Sequence, residues 1–260
     1  MSALPEYRAA ASILLLRDGK NGLQVLMLKR PSNVSFANAW VFPGGCRELE
    51  DKSEFLNQRE YALSDAKACL QLGEASFAKS WWFAAIRELF EEAGVLLIAD
   101  KVSSDSFQQC RAALLNRSKS FVELVEQNNW QFDFQQIQYL SFWLAPEWVS
   151  PRYATRFFVA KLPEGQEPVA DGSEALEVQW ISASQAIELQ NDLQLPRPTI
   201  ENLRLLLGYQ NVAEVMAAIG AKDKSLTSAI WPQKVGSSVV LTEVSQNLQD
   251  LDILLVDSHD

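Results

Sequence analysis

Ala84-Ala85-Ile86-Arg87-Glu88-Leu89-Phe90-Glu91-Glu92-Ala93-Gly94-Val95 is the stretch whose reading decides the fold. Wound as a helix at about 100° per residue, it gathers Glu88, Glu91 and Glu92 within an arc of roughly 100°. Ile86, Leu89, Phe90 and Ala93 fall on the opposite side, where they would bury against a sheet. Gly94 supplies the stop. Carboxylates at i, i+3 and i+4 repel one another, and Arg87 alone does not neutralise three of them. A set of oxygen-only ligands suits a hard divalent cation such as Mg²⁺ or Mn²⁺. The competing interpretation is a solvated acidic face on an amphipathic helix.

Working upstream, Val41-Phe42-Pro43-Gly44-Gly45 reads as a strand ending in a tight turn. Its backbone carbonyls are exposed, and one of them can complete a metal site that faces the glutamates.

Taken together, these segments resemble the Nudix hydrolases. The signature of that superfamily runs Gly, five residues, Glu, seven residues, Arg-Glu, an aliphatic, any residue, Glu-Glu, any residue, Gly, an aliphatic. Gly45, Asp51, Arg87, Glu88, Leu89, Glu91, Glu92, Gly94 and Val95 match in order. Two departures stand out: Asp51 replaces Glu, and 35 residues separate it from Arg87. The interrupted box resembles the coenzyme A diphosphatase branch, which has a long insertion there and a similar Ala-Ile-Arg-Glu run. The coenzyme A run that another Nudix branch carries just before Phe-Pro-Gly-Gly is absent from Val25–Trp40.

The resemblance implies an α/β fold, an α/β/α sandwich around a mixed sheet, with a helical insertion and C-terminal helices. It implies Mg²⁺- or Mn²⁺-dependent hydrolysis of a diphosphate joining a nucleoside to a second group. By residue-for-residue carry-over, Glu88 is a ligand and candidate base, Glu91 and Glu92 are ligands, Gly45 gives its carbonyl, and Arg87 orients Glu88. The role of Asp51 stays open, because the insertion displaces it in sequence. The branch implies coenzyme A or an acyl-CoA as substrate, cleaved to phosphopantetheine and adenosine 3′,5′-bisphosphate. ADP-ribose or a dinucleotide is the alternative substrate. A non-catalytic module that senses a nucleotide ligand is the alternative of another class.

Bulk properties limit the possibilities. With 260 residues, 48% of them hydrophobic and 22% charged, the chain can bury a sizeable core, and a single elaborated domain over 1–260 is expected. That domain would carry a helical insertion at 52–80 and a helical extension and tail at 196–260. A net charge of −10 disfavours nonspecific contact with nucleic acid or an anionic membrane. An anionic small substrate remains compatible, because a bound metal inverts the local potential. Cys46, Cys69 and Cys110 have no zinc spacing and form an odd set, which reads as free thiols. His259 is the only histidine, which removes Ser-His-Asp, Cys-His and His-ligated zinc chemistry. The opening Met-Ser-Ala-Leu-Pro-Glu is no secretory signal, the closing Asp-Ser-His-Asp is no peroxisomal address, and no apolar run is long enough for a membrane span. A cytoplasmic protein with a small nucleotide substrate is expected; the oligomeric state stays open.

Along the chain, residues 8–16 read as a buried strand, with a turn at Arg17–Gly22 and a hairpin partner at Leu23–Lys29. Trp40 and Phe42 read as core, with an aromatic wall for a substrate base as the alternative. In the insertion, Ser53 and Ser64 are candidate N-caps for helices around Glu54–Leu56 and Ala66–Leu70. Trp81, Trp82 and Phe83 are expected to anchor the box helix. The stretch 100–129 is helix-prone and reads as structural. Ile137–Ala145 and Thr155–Leu162 read as strands.

Between those strands, Trp148, Arg152, Tyr153 and Arg156 combine rings and guanidinium groups able to stack on a base and contact phosphates. An ordinary proline turn with surface arginines is the alternative. The coenzyme A branch has a similar Trp…Pro-Arg…Arg-Phe segment. Many Nudix enzymes also recruit an acidic residue before the next strand, and Glu174 is the match, with Asp171 and Glu177 as competitors. A short helix at Ser184–Asp192, one capped by Thr199, and one opened by Asn211 with Glu214 complete the pattern. The Pro196-Arg197-Pro198-Thr199 turn resembles a family segment beside the substrate cleft, or is a structural cap. The tail contributes short apolar pieces, Val239–Leu241 and Ile253–Val256.

Overall fold

The computed structural model describes residues 5–33, 36–58, 77–98, 104–221, 229–244 and 254–258. Strand β1 (Glu6–Gly19) organises them. Its side chains alternate between two cores: Tyr7, Ala9, Ala11, Ile13 and Leu15 join one apolar cluster, Leu14 and Leu16 the other. A strand buried on both faces is a near-continuous apolar run, as here. It extends beyond residues 8–16 at both ends and turns at Lys20–Asn21 into β2 (Gly22–Lys29), with Gly19 opposite Gly22.

One edge of β1 is occupied throughout by β6 (Tyr153–Lys161), parallel, from Arg8 opposite Tyr153 to Leu16 opposite Lys161. Three strands pair with β1 elsewhere along its length. These are β10 (Leu254–Val256), parallel at Glu6–Arg8; β4 (Gly44–Cys46), antiparallel at Ala10–Ser12; and β2, antiparallel at Leu16–Gly19. The mixed sheet continues from β2 to β3 (Trp40–Val41) and β7 (Glu177–Ile181). Beyond β6 it runs through β5 (Ile137–Leu144) and β8 (Ala229–Val235) to β9 (Ser238–Val244).

Helices cover both faces. The first cluster packs α2 (Ser80–Ala93), with Trp81, Trp82 and Phe83 fully buried, together with residues of α3 (Ser104–Leu115) and α4 (Phe121–Asn128). The second packs α5 (Ala183–Glu188), α6 (Arg197–Arg204) and α7 (Val212–Gly220). This is the expected α/β/α sandwich around a mixed sheet.

Local chemistry sets several boundaries. The stretch 104–128 is split into two helices because Ser120 and Glu123 form a reciprocal capping box that starts α4 afresh. Asn211 caps α7 through the Glu214 N–H at 3.0 Å, as its sequence suggests. Thr199 is not an N-cap: α6 begins at Arg197, with Pro198 in the first turn, where no N–H is required, and Thr199 buried inside. Of the insertion, α1 (Glu54–Gln58) is described, with Ser53 Oγ accepting from the Leu56 N–H at 3.3 Å. Ser64 and Ala66–Leu70 lie outside the described residues.

Within 196–260 the helical extension takes form as α6 and α7, and the short apolar pieces of the tail take form as strands. After α7 the described segments are strands: β8 and β9 extend the sheet and β10 pairs with β1. Their apolar pieces are too short to show a period, so neighbouring strands decided their conformation. Among the described residues, no helix is long and apolar enough to cross a membrane.

Arg111 of α3 fastens the end of the box helix. Its guanidinium donates to Glu91 O at 2.8 and 3.2 Å and to Val169 O at 2.8 Å, beside left-handed Gly94. A cation at a helix C-terminus also offsets the dipole. Arg111→Met is expected to destabilise the fold by about 1–3 kcal/mol by leaving these carbonyls unsatisfied. A urea titration with a lowered midpoint and an unchanged slope is the expected record.

Candidate active site

Every residue of α2 except Glu91 is buried, so the acidic face is not solvated: Glu88 is 6% and Glu92 3% exposed. What covers them is the glycine turn. A Cβ on Gly44, whose φ is 154°, would sit 2.4 Å from Ala11 O. On Gly45 it would sit 2.6 Å from the Glu88 carboxylate. Only glycines let β4 lie between β1 and the glutamates. Gly44 N–H donates to Glu92 Oε2 at 2.8 Å, and Ser12 Oγ donates to Pro43 O at 2.9 Å, pinning the turn.

Arg87 binds this arrangement together from within the core. Its Nε and Nη2 donate to the two oxygens of Asp51 at 3.2 and 3.0 Å. Nη2 also donates to Cys46 O at 2.8 Å, and Nη1 donates to Glu88 Oε1 at 2.8 Å. Glu48 and Glu91 lie 3.5 Å away. Asp51 is fully buried and also accepts the Glu48 N–H at 2.8 Å. Despite the intervening 35 residues, Asp51 meets Arg87. Its place is that of a forked partner fixing the guanidinium plane.

The glutamates hold their protons unusually tightly. Burial pushes Glu88 up to about 7, opposed by Arg87 and reinforced by Glu174. Burial pushes Glu91 up to about 8, again against Arg87. Glu92 is raised well above the carboxylate range by burial and by Glu88. Glu174 adds a smaller repulsion to all three and lines the same cavity as they do. Of its two competitors, Asp171 lines that cavity and Glu177 does not. Asp171 accepts the N–H groups of Ser173, Glu174 and Ala175, which depresses its pKa against the effect of burial and organises the loop. Glu177 pairs with Lys29 at 2.7 Å on the surface.

Glu88, Glu91, Glu92, Gly45 and Glu174 line one cavity of about 930 Å³, within the size range of small-ligand sites. Trp148 and Tyr153 line it as expected. Two expected substrate contacts do not. Arg152 is absent from the lining and donates to Glu147 O at 2.8 Å. Arg156 is fully buried in the core, its guanidinium 4.1 Å over Phe142 and 5.1 Å over Trp81. The alternation of β6 explains this, since Thr155 and Phe157 face the cavity and the residue between them points away.

The whole Pro196–Thr199 turn lines the cavity, as do Arg8, Arg30, Arg117 and Lys119. The latter four were not singled out from the sequence. Surface cations leave no periodic signal, and strand β1, the end of β2 and the turn between α3 and α4 bring these together. The stretch expected to be only structural thus adds Arg117 and Lys119 to one wall.

The donor set fits a hard divalent ion: carboxylate oxygens and glycine carbonyls only, with too few neighbouring cations to suppress the repulsion. Among the described residues, no three His, Cys, Asp or Glu groups stand in ion-holding geometry as they lie. Glu88 Oε1 accepts from Arg87 Nη1 and Glu92 Oε2 accepts from the Gly44 N–H, each at 2.8 Å.

Carboxylates with raised pKa keep protons in the folded state that the unfolded chain releases above its ordinary value near 4.5. Their contribution to stability therefore falls as pH rises from about 4.5 to about 8 in the metal-free protein. Thermal midpoints measured across that window should decline, less steeply in Glu91→Gln, and millimolar Mg²⁺ should recover the loss at the alkaline end.

Comparison with known proteins agrees with this geometry. A family model described as the NUDT19 Nudix domain matches residues 74–206. The human acyl-coenzyme A diphosphatase NUDT19 is 24% identical over 238 residues, covering 75% of this chain and 63% of its own. The putative nudix hydrolase 7 of Caenorhabditis elegans is 29% identical over 209 residues, covering 77% and 60%. The chain thus spans about three-fifths of these relatives. A crystal structure of a Nudix hydrolase from Alicyclobacillus acidocaldarius superposes with a TM-score of 0.63 at 22% identity, covering 83% of this chain and 97% of that one. With half of its length matched by the family model, and the glycine turn packed on an intact Arg-Glu…Glu-Glu helix, the chain belongs to the Nudix family, in its NUDT19 branch.

Proposed function

We propose that the protein is a divalent-metal-dependent diphosphatase acting on coenzyme A or an acyl-CoA. The carrying observation is the trio Glu88, Glu91 and Glu92, with Glu88 and Glu92 buried and Glu91 half-buried, facing a cavity that also holds cations and aromatic rings. The name of the human relative supports the substrate class. A cavity of about 930 Å³ suits a ligand larger than a mononucleotide.

Glu91, Glu92, Glu88 and the Gly45 carbonyl would hold Mg²⁺ or Mn²⁺. When bound, such an ion supplies charge neutralisation of the diphosphate, polarisation of phosphorus and a more acidic water. Glu88 is the candidate base: Arg87 engages its Oε1 and leaves Oε2 to accept a proton. Asp51 keeps Arg87 in the plane that this requires. Glu174, on the loop tied to the end of α2 through the Asp171 N–H and Glu92 O at 3.1 Å, stands where it can orient water or add a ligand. In this reading Arg30 and Arg197, which pairs with Glu201 at 2.7 Å, anchor phosphate oxygens, and Trp148 and Tyr153 stack on the base; their place in the cavity lining supports it.

Glu91→Gln or Glu92→Gln is expected to remove most turnover while the protein stays folded, because the neutral amide relieves repulsion in the metal-free state. Normal turnover in either folded variant would refute the ligand assignment. Incubating the protein with Mg²⁺ and coenzyme A, acyl-CoA, ADP-ribose and a dinucleotide, with products separated by chromatography, tests the substrate. The expected products from coenzyme A are phosphopantetheine and adenosine 3′,5′-bisphosphate; no cleavage of any CoA species would end this reading. Binding without cleavage across the panel would indicate a sensing module instead.

A further inference from the structure

Asp257 lies far along the chain from the box, yet its contacts converge on it. Beyond β10, Ser258 N–H donates to Arg47 O at 2.9 Å, while Arg47 N–H donates to Ala9 O at 2.8 Å. Arg47 and Glu48 thus bridge β1 and the last described strand. Into this junction Asp257 projects a carboxylate that is only 10% exposed and takes two cations. Its Oδ1 accepts from Arg47 Nε at 2.8 Å, and its Oδ2 pairs with Lys52 Nζ.

Each cation leads into the site. The Arg47 guanidinium lies 4.1 Å over the Trp81 ring and donates to Ser80 Oγ at 3.3 Å, in the first turn of α2. Lys52 ends the 3-10 turn (Glu50–Lys52) that carries Asp51. Glu48 N–H, next to Arg47, donates to the Asp51 oxygen that also receives Arg87 Nη2. The 35 residues between Asp51 and Arg87 are too long a connection to hold one beside the other. A noncovalent tie must do so. A buried ion pair adds little net stability, but it specifies geometry where it joins segments with no covalent reason to be adjacent.

We propose that Asp257 is a positioning residue for the Nudix site: by clamping Arg47 and Lys52 it sets the turn that presents Asp51 to Arg87, and thereby the direction of Glu88. This rests on the reading of Glu88 as ligand and base given above. Asp257 itself is not in the cavity lining, although its neighbour Ser258 is.

The test uses the full chain with Asp257→Asn, Asp257→Glu and Lys52→Met, measuring Mn²⁺ affinity by electron paramagnetic resonance, kcat and KM on the cleaved diphosphate, and the thermal midpoint. Partners that orient metal ligands commonly govern affinity or activity by about 10–100-fold, and Asp257→Asn is expected to lower Mn²⁺ affinity and kcat by that order with KM nearly unchanged. Asp257→Glu should recover part of the loss, and Lys52→Met should show a smaller loss in the same direction.

Mn²⁺ affinity and kcat within about twofold of wild type in folded Asp257→Asn would overturn the proposal. So would losses that only track the unfolded fraction. Where Asp257→Asn fails to fold, Lys52→Met decides by the same criteria. A wild-type protein that binds Mn²⁺ but cleaves nothing defeats the diphosphatase reading and leaves the clamp to be judged on affinity. A wild-type protein that binds no Mn²⁺ overturns both.

Discussion

One buried guanidinium sits among four carboxylates, and the architecture of the site follows from keeping it there. Arg87 cannot lose its proton, so within the core it must be met by charge of the opposite sign on every side that water would otherwise fill. Asp51 takes the fork, Glu88 takes one end, Cys46 gives a carbonyl, and Glu48 and Glu91 stand at 3.5 Å. That demand brings together a 3-10 turn, a β-strand end and a helix from distant parts of the chain. One positive charge still falls short of balancing Glu88, Glu91 and Glu92, and burial together with that imbalance raises the pKa of all three.

The surroundings show how a fold can tolerate such a cluster. Gly44 and Gly45 bring main chain, not side chain, against the carboxylates, and Gly44 N–H partly offsets the repulsion at Glu92. Arg111 holds the far end of the helix, and Asp171 spends its charge on three backbone N–H groups so that Glu174 is presented from a defined loop. The cavity walls also carry Arg8, Arg30, Arg117, Lys119 and Arg197, with Arg30 3.9 Å from Glu92.

Much of this was legible in the chain before any coordinates. The spacing of Glu88, Glu91 and Glu92, the apolar side of Ile86, Leu89 and Phe90, and the Gly94 stop are properties of a helix of fixed period, which sequence alone expresses. The Gly44-Gly45 turn is legible because only glycine tolerates that approach. Strand β1, the hairpin to β2 and the capping of α7 by Asn211 are equally local. Each depends on residues within one turn or one strand of each other.

Only the tertiary structure decided the rest. Nothing near Asp51 in sequence reveals that it meets Arg87, because their contact depends on how the chain returns. Arg156 looked like a phosphate contact and is instead a core cation on aromatic rings, since strand alternation fixed its side. The late apolar pieces became strands because open sheet edges and β1 were available to receive them, and with β10 came Asp257. A helix period and a glycine's freedom are written residue by residue. Which distant charges share one buried space depends on the sum of all the packing and is written nowhere locally.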